Sequence, residues 1–305
     1  MSSQRLIHNL PSPLTSQGKN RQRSRKRAAP QGREHQVTRP FHPKGNPALN
    51  RRQLLAVACA LGGLPALTGC ATPAAKPKIL PTTANSRALA LVYRGPAADA
   101  DCADALAGLL RDSPIELDVH FAGPGERIPI SGETLGKAGL YAQPGGGDLR
   151  DGYRHMRVYR DLLRAYVDGG GTYLGICLGG YLAGADPGFD LLPVPVDQYI
   201  TSRAATVRTE EDTVVQVDWN GRRQFLFFQD GPAFPADGPA TSEVVATYPN
   251  GLAAALIARY GRGLVAVSGP HLEATADWYQ AYDLDQPGDA LRELGFDFVR
   301  RLVRT

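Results

Sequence analysis

The sequence predicts an α/β domain: a doubly wound, mostly parallel sheet with an antiparallel extension in its second half. Three observations lead there. Continuous apolar runs such as Ala88–Tyr93 suit strands buried on both faces of a sheet. In the first half these runs alternate with helix-compatible stretches, the pattern of parallel strands joined by crossover helices. In the second half, strand-like segments follow one another across Gly- or Pro-bearing connections, which suits antiparallel hairpins.

The elements can be taken in order. After the first strand, residues 99–110 are rich in Ala and Leu and read as a helix. Ile115, Leu117, Val119 and Phe121 alternate with Glu116, Asp118 and His120, giving a second strand over 115–121. A third, over 138–143, runs into Pro144-Gly145-Gly146-Gly147-Asp148. Tyr153, Met156, Tyr159, Leu163, Tyr166 and Val167 recur at helical spacing, so 151–168 reads as one amphipathic helix, closed by Gly169-Gly170-Gly171. Thr172–Ile176 is the fourth strand. Strands are then expected at Thr213–Trp219, 224–228, 243–247, Ala253–Tyr260 and 264–268, with a closing helix at 289–303.

Ahead of this domain (87–305) the composition changes. Residues 1–52 hold 12 basic residues and one acid, a net +11; the other 253 hold 22 basic and 29 acidic residues, a net −7. The overall basic balance therefore belongs to a leader, and the acidic domain is not expected to bind nucleic acid. Residues 54–67 form an apolar run broken by Gly62, Gly63 and Pro65. It is too short to span a bilayer, which takes about 20 residues. A basic flank, a short apolar run and small residues after it describe an export signal over 1–69. Arg51-Arg52 resembles a twin-arginine signal, with an ordinary secretory leader as the alternative. Leu67-Thr68-Gly69-Cys70 resembles a bacterial lipobox. That resemblance implies cleavage before Cys70, lipidation of its thiol, and a domain held on the periplasmic side of the cell envelope by acyl chains, its only membrane attachment. Residues 70–86 read as a flexible tether.

Of four cysteines, Cys59 lies in the signal and Cys70 in the lipobox, so the domain keeps Cys102 and Cys177. An exported domain could pair them, and the sequence leaves that open. No His/Cys cluster has zinc-site spacing, and no metal or cofactor is expected.

Chemistry concentrates in three segments. In Tyr173-Leu174-Gly175-Ile176-Cys177-Leu178-Gly179-Gly180-Tyr181 an apolar strand runs into a cysteine and then a helix. Such a turn strains the nucleophile's backbone and needs small neighbours, supplied by Gly175 and Gly179. Backbone N–H groups and the dipole at a helix start favour a thiolate. The plainer reading is a buried free cysteine. Gly145, Gly146 and Gly147 would open on the same crevice and let backbone N–H groups approach an oxyanion; the plainer reading is a connector. In Ser268-Gly269-Pro270-His271-Leu272-Glu273, His271 and Glu273 point the same way from extended backbone, which suits a base held by a carboxylate; otherwise they are a loop histidine and a solvated acid. His155 is the runner-up base, and His120 lies on the polar side of its strand.

In their order these three motifs resemble the class I glutamine amidotransferase-like superfamily, and most closely the domain at the N-terminus of eukaryotic-type biotin–protein ligases, which also occurs alone in bacteria. The resemblance spans roughly 86–304. It implies a flavodoxin-like, class I amidotransferase-like sheet, with Cys177 as nucleophile, His271 as base and Glu273 as its orienter. Backbone N–H groups of Gly146 and Leu178 would form the oxyanion hole. Tyr181, Gly145 and Asp148 are candidate binding residues. The chain departs from the family where Tyr181 replaces the usual glutamine four residues after the cysteine, and where Leu272 replaces the usual proline after the histidine. Both departures bear against glutamine as substrate. Gly261-Arg262-Gly263 echoes part of a biotin-ligase motif without its continuation, so biotin ligation is rejected.

Three functions fit these residues. One is a thiol hydrolase or amidase acting on a small-molecule or peptide amide or ester. The second is a non-catalytic envelope lipoprotein that binds a ligand or an unspecified protein partner. The third is a redox-type thiol protein.

Overall fold

The computed structural model describes residues 88–286 and 290–302. The leader, Cys70 and the tether lie outside them. No helix among the described residues is long and apolar enough to cross a membrane.

Five parallel strands form one half of the central sheet. They are β1 (Ala88–Tyr93), β2 (Leu117–Ala122), β3 (Leu140–Gln143), β4 (Thr172–Ile176) and, from much later in the chain, β11 (Gly263–Ser268). The order is β2-β1-β3-β4-β11. Antiparallel pairing then continues the sheet through β10 (Ala253–Tyr260), β9 (Ser242–Thr247), β6 (Thr213–Trp219) and β7 (Arg222–Phe228). The mostly parallel sheet with an antiparallel extension is therefore the architecture of this chain. Two-residue strands β5 (Asp197–Gln198) and β8 (Pro232–Ala233) make a small second sheet.

Alternation along the parallel strands supplies two cores. On β1, Ala90 and Val92 face one way, against Leu106 and Leu110 of helix α1 (Ala100–Asp112) and Phe298 of helix α7 (Ala290–Arg301). Leu91 and Tyr93 face the other way, into the cluster holding Leu163, Val167, Leu178 and Leu182. Helices on both faces make the sheet doubly wound. The β6–β7 hairpin turns at Asn220 and Gly221, both at positive φ, as a tight two-residue connection requires. Gly261, at φ 55°, turns the β10–β11 hairpin.

Several elements differ from expectation; among the strands, β2 starts at Leu117 rather than 115 and β7 at Arg222 rather than 224. The helix expected over 151–168 is two: α3 (Leu149–Met156) and α4 (Arg160–Asp168), with a 3-10 turn at Arg157–Tyr159 between them. Each piece follows a different neighbour. Gly152 of α3 packs on Leu178, whereas α4 lies against α2 (Gly132–Lys137). The break leaves Val158 71 % exposed. Helix α2 itself was not anticipated. Ser131 and Thr134 form a reciprocal capping box at its start, and Ala138 caps its end, so β3 begins at Leu140 rather than 138. A short helix α6 (Ala276–Ala281) follows β11.

Candidate functional site

β1, β3, β4 and β11 all deliver their C-terminal ends to one edge of the sheet, and the winding direction reverses between β1 and β3. Crevices in such sheets open at that edge. The three motifs follow β3, β4 and β11, so the topology gathers them.

Cys177 links β4 to helix α5 (Leu178–Leu182) with φ 50° and ψ −109°, a strained conformation for a residue with a side chain. The turn closes because two glycines allow backbone contact. A Cβ on Gly175 would lie 2.3 Å from the Gly179 carbonyl oxygen, and one on Gly179 would lie 2.1 Å from that of Gln143. The Cys177 N–H donates to the Ser268 carbonyl (2.8 Å), tying β4's end to β11's. Its thiol points at the Gln229 carbonyl, 3.6 Å away, and the side chain is 8 % exposed.

His271 is 3 % exposed and hydrogen-bonds the Cys177 thiol. Its Nδ1 lies 2.9 Å from Glu273 Oε1, and its backbone N–H donates to the Phe227 carbonyl at 2.9 Å. The rings of Phe227 and Trp278 stand edge-on to the imidazole at 5.9 and 5.4 Å. Burial by itself lowers the imidazole pKa. The negative charges of Glu273 and Cys177, with hydrogen bonds to both, outweigh it and lift His271 from 6.5 to about 10. Glu273 is buried, and its second oxygen, Oε2, has no partner.

The glycine loop lies over the pair. A Cβ on Gly145 would meet His271 Cε1 at 2.7 Å and Cys177 Cβ at 3.1 Å. Gly146, at φ 97°, sits against Asp99, and the Asp99 N–H donates to the Gly145 carbonyl (3.0 Å) across the β1/β3 crevice. Leu178 is the first residue of α5 and is buried. Tyr181 donates its hydroxyl to the Asp230 carbonyl at 3.1 Å, next to Gln229. Asp148 faces solvent and caps α3, accepting from the N–H groups of Arg150 and Asp151. His155 is exposed on α3, and His120 is exposed and bonded to Asp118, so neither stands beside the cysteine.

One neighbour had no signal in the sequence. Cys102, buried on α1, has its Sγ within 4.8 Å of ligand atoms of both His271 and Glu273. Both domain cysteines are free thiols. Burial, then the charges of Glu273 and Cys177, push the Cys102 thiol pKa well up, so it stays a neutral thiol. Cys102, His271 and Glu273 are the one group among the described residues with metal-ligand spacing, and its histidine and glutamate are already bonded to each other.

No known protein family matches the chain, and no curated protein does. Solved structures resemble it at low identity. A glutamine amidotransferase from Thermotoga maritima is 16 % identical, with TM-score 0.48, over 72 % of this chain and 100 % of that one. A second glutamine amidotransferase is 18 % identical, with TM-score 0.44, over 67 % and 98 %. A Thermoplasma acidophilum protein described as part of a GMP synthase is 12 % identical, with TM-score 0.46, over 70 % and 94 %. Likenesses of this size carry no functional weight, and the fold rests on the sheet order above.

Proposed function

We propose that this chain is a cysteine hydrolase of the class I glutamine amidotransferase-like type, acting on an amide or ester other than glutamine. The observation that supports it most is the buried pair at the sheet edge: a cysteine on a strained turn, bonded to an imidazole that Glu273 clamps at 2.9 Å. His271 holds the proton that Cys177 gives up, and the sulfur attacks the carbonyl. Backbone N–H groups of Gly146 and Leu178 receive the developing oxyanion. The tetrahedral adduct collapses to a thioester as His271 protonates the leaving amine or alcohol. Water, deprotonated by His271, then releases the acid and restores the thiol. Glu273 holds Nδ1–H so that Nε2 faces the sulfur. The finer placement belongs to the same proposal: a stand-alone relative of the biotin–protein ligase N-terminal domain, exported and lipid-anchored through Cys70.

The test is iodoacetamide labelling of the full chain, with modification at Cys177 read by peptide mass spectrometry. Fast labelling at neutral pH that slows in His271→Ala, while Cys102 stays slow, supports the reading and justifies an amide and ester screen. A Cys177 that labels like a free thiol and ignores His271→Ala overturns it.

A further inference from the structure

A cleft of about 1020 Å³ opens beside the buried pair, between α1, the end of β7 and the segment from His271 through α6. Its chemistry is one-sided. Seven carboxylates line it against Arg292, which Asp112 already pairs, and His271, which Glu273 already holds. Some of these acids have local duties: Asp99 caps α1 and Asp104 pairs with Arg94. Among the described residues Asp101 and Asp277 have no ion pair, and Asp212 bonds only to the Tyr282 hydroxyl. Acids in the first turn of a helix, as Asp101 and Asp277 are, also answer the helix dipole, so acidity alone decides nothing.

Two independent features point to a ligand. Glu273 lines the cleft floor with its side chain fully buried, and its Oε2 accepts no hydrogen bond. A buried carboxylate oxygen left without a donor is costly, and a donor arriving from the cleft would satisfy it. Aromatic rings stand nearby. Phe227, Trp278 and Tyr282 line the same space, and Tyr282 is 53 % exposed. Carboxylates beside aromatic faces make the composition that recognises ammonium and guanidinium groups, through charge and through the ring quadrupole.

We propose that this cleft selects molecules bearing a primary ammonium or guanidinium group, so that the substrate of the hydrolase is a basic amide or ester. Only the word substrate rests on the proposed function; cation selection by the cleft stands apart from it. Trp278 lines the cleft, and the chain's other tryptophan, Trp219, bonds Asp297 elsewhere, so fluorescence reports binding.

The experiment uses the full chain carrying Cys177→Ala, titrated at low ionic strength with Nα-acetyl-lysinamide, its norleucine analogue and its glutamate analogue. The lysine compound is expected to bind at least about ten-fold more tightly than the norleucine analogue, and the glutamate analogue not at all. The preference should shrink toward unity in Asp101→Asn/Asp277→Asn and in about 0.5 M salt, which screens exposed charge. Equal binding of lysine and norleucine compounds, or no binding of the lysine compound to a folded protein, overturns the proposal. Iodoacetamide labelling of the wild-type chain separates the two ideas. Cation preference with an inert Cys177 retains the cleft and sinks the hydrolase; a fast Cys177 without cation preference does the reverse.

Discussion

Gly145→Ala tests the assembly of the site with a single methyl group. The Gly145 backbone lies outside the positive-φ region, so alanine meets no backbone strain there. The cost is steric. The new Cβ would stand 2.7 Å from His271 Cε1, and ordinary contact begins at 3.4 Å, so the imidazole must give by roughly 0.7 Å. It has little room to do so, with Glu273 holding Nδ1, its own backbone bonded to Phe227, and the rings of Phe227 and Trp278 beside it. Overpacking of this kind costs about 1–3 kcal/mol, roughly 3–10 °C of Tm in a domain of this size. Misplacing a reacting group by about 1 Å can cost 10²-fold in rate, so Cys177 labelling at pH 7 should fall between about ten- and a hundred-fold. Gly136→Ala is the reference. Its Cβ meets nothing within 4 Å inside α2, and alanine there should raise stability by about 0.5–1 kcal/mol without altering labelling. A Gly145→Ala protein with wild-type labelling and Tm would refute the arrangement of the glycine loop over the histidine.

Three further outcomes follow from the same geometry. Because His271 is lifted from 6.5 to about 10 in the folded state, folding holds its proton more tightly; its contribution to stability is complete below about pH 6.5 and is lost as pH rises through about 10, which urea midpoints at pH 6, 8 and 10 will show as a steady decline. Glu273→Gln keeps an acceptor for Nδ1–H but removes a charge that raises His271, so Cys177 labelling at pH 7 should drop by at least about ten-fold and the decline between pH 6.5 and 10 should flatten; an unchanged slope would show that Glu273 does not set the histidine's charge. Tyr279→Phe removes the buried hydroxyl that accepts the Phe227 N–H at 2.8 Å and leaves that N–H unpaired, so urea unfolding should report a loss of about 1–3 kcal/mol.

The parts of this protein that could be read from sequence are those whose physics is local. The apolar run of β1, the alternation in β2 and the turns of the later hairpins need only neighbouring residues to define them. Gly175 belongs to the same class, because a cysteine turn that tight forces it against Gly179, whereas Gly179 itself is held small by Gln143 of β3. The sequence expects His271 beside Glu273 from a spacing of two in extended backbone; the contact forms, but across a turn at Leu272 and Glu273. Other features needed the whole chain. The place of β11 beside β4, which carries His271 to Cys177, is fixed by the sheet order, and no periodicity within either strand encodes it. The break between α3 and α4 follows from packing on two separate partners, although the apolar spacing runs through it unbroken. Cys102 and the acids of α1 border the site because the chain crosses from one face of the sheet to the other between β1 and β3, and Phe227 and Gln229 arrive from the antiparallel half. Local sequence sets backbone conformation and which face of an element is apolar; which faces meet is decided by long-range burial over the folded chain, and so the Cys177 turn is legible while the acidic, aromatic cleft beside it is not.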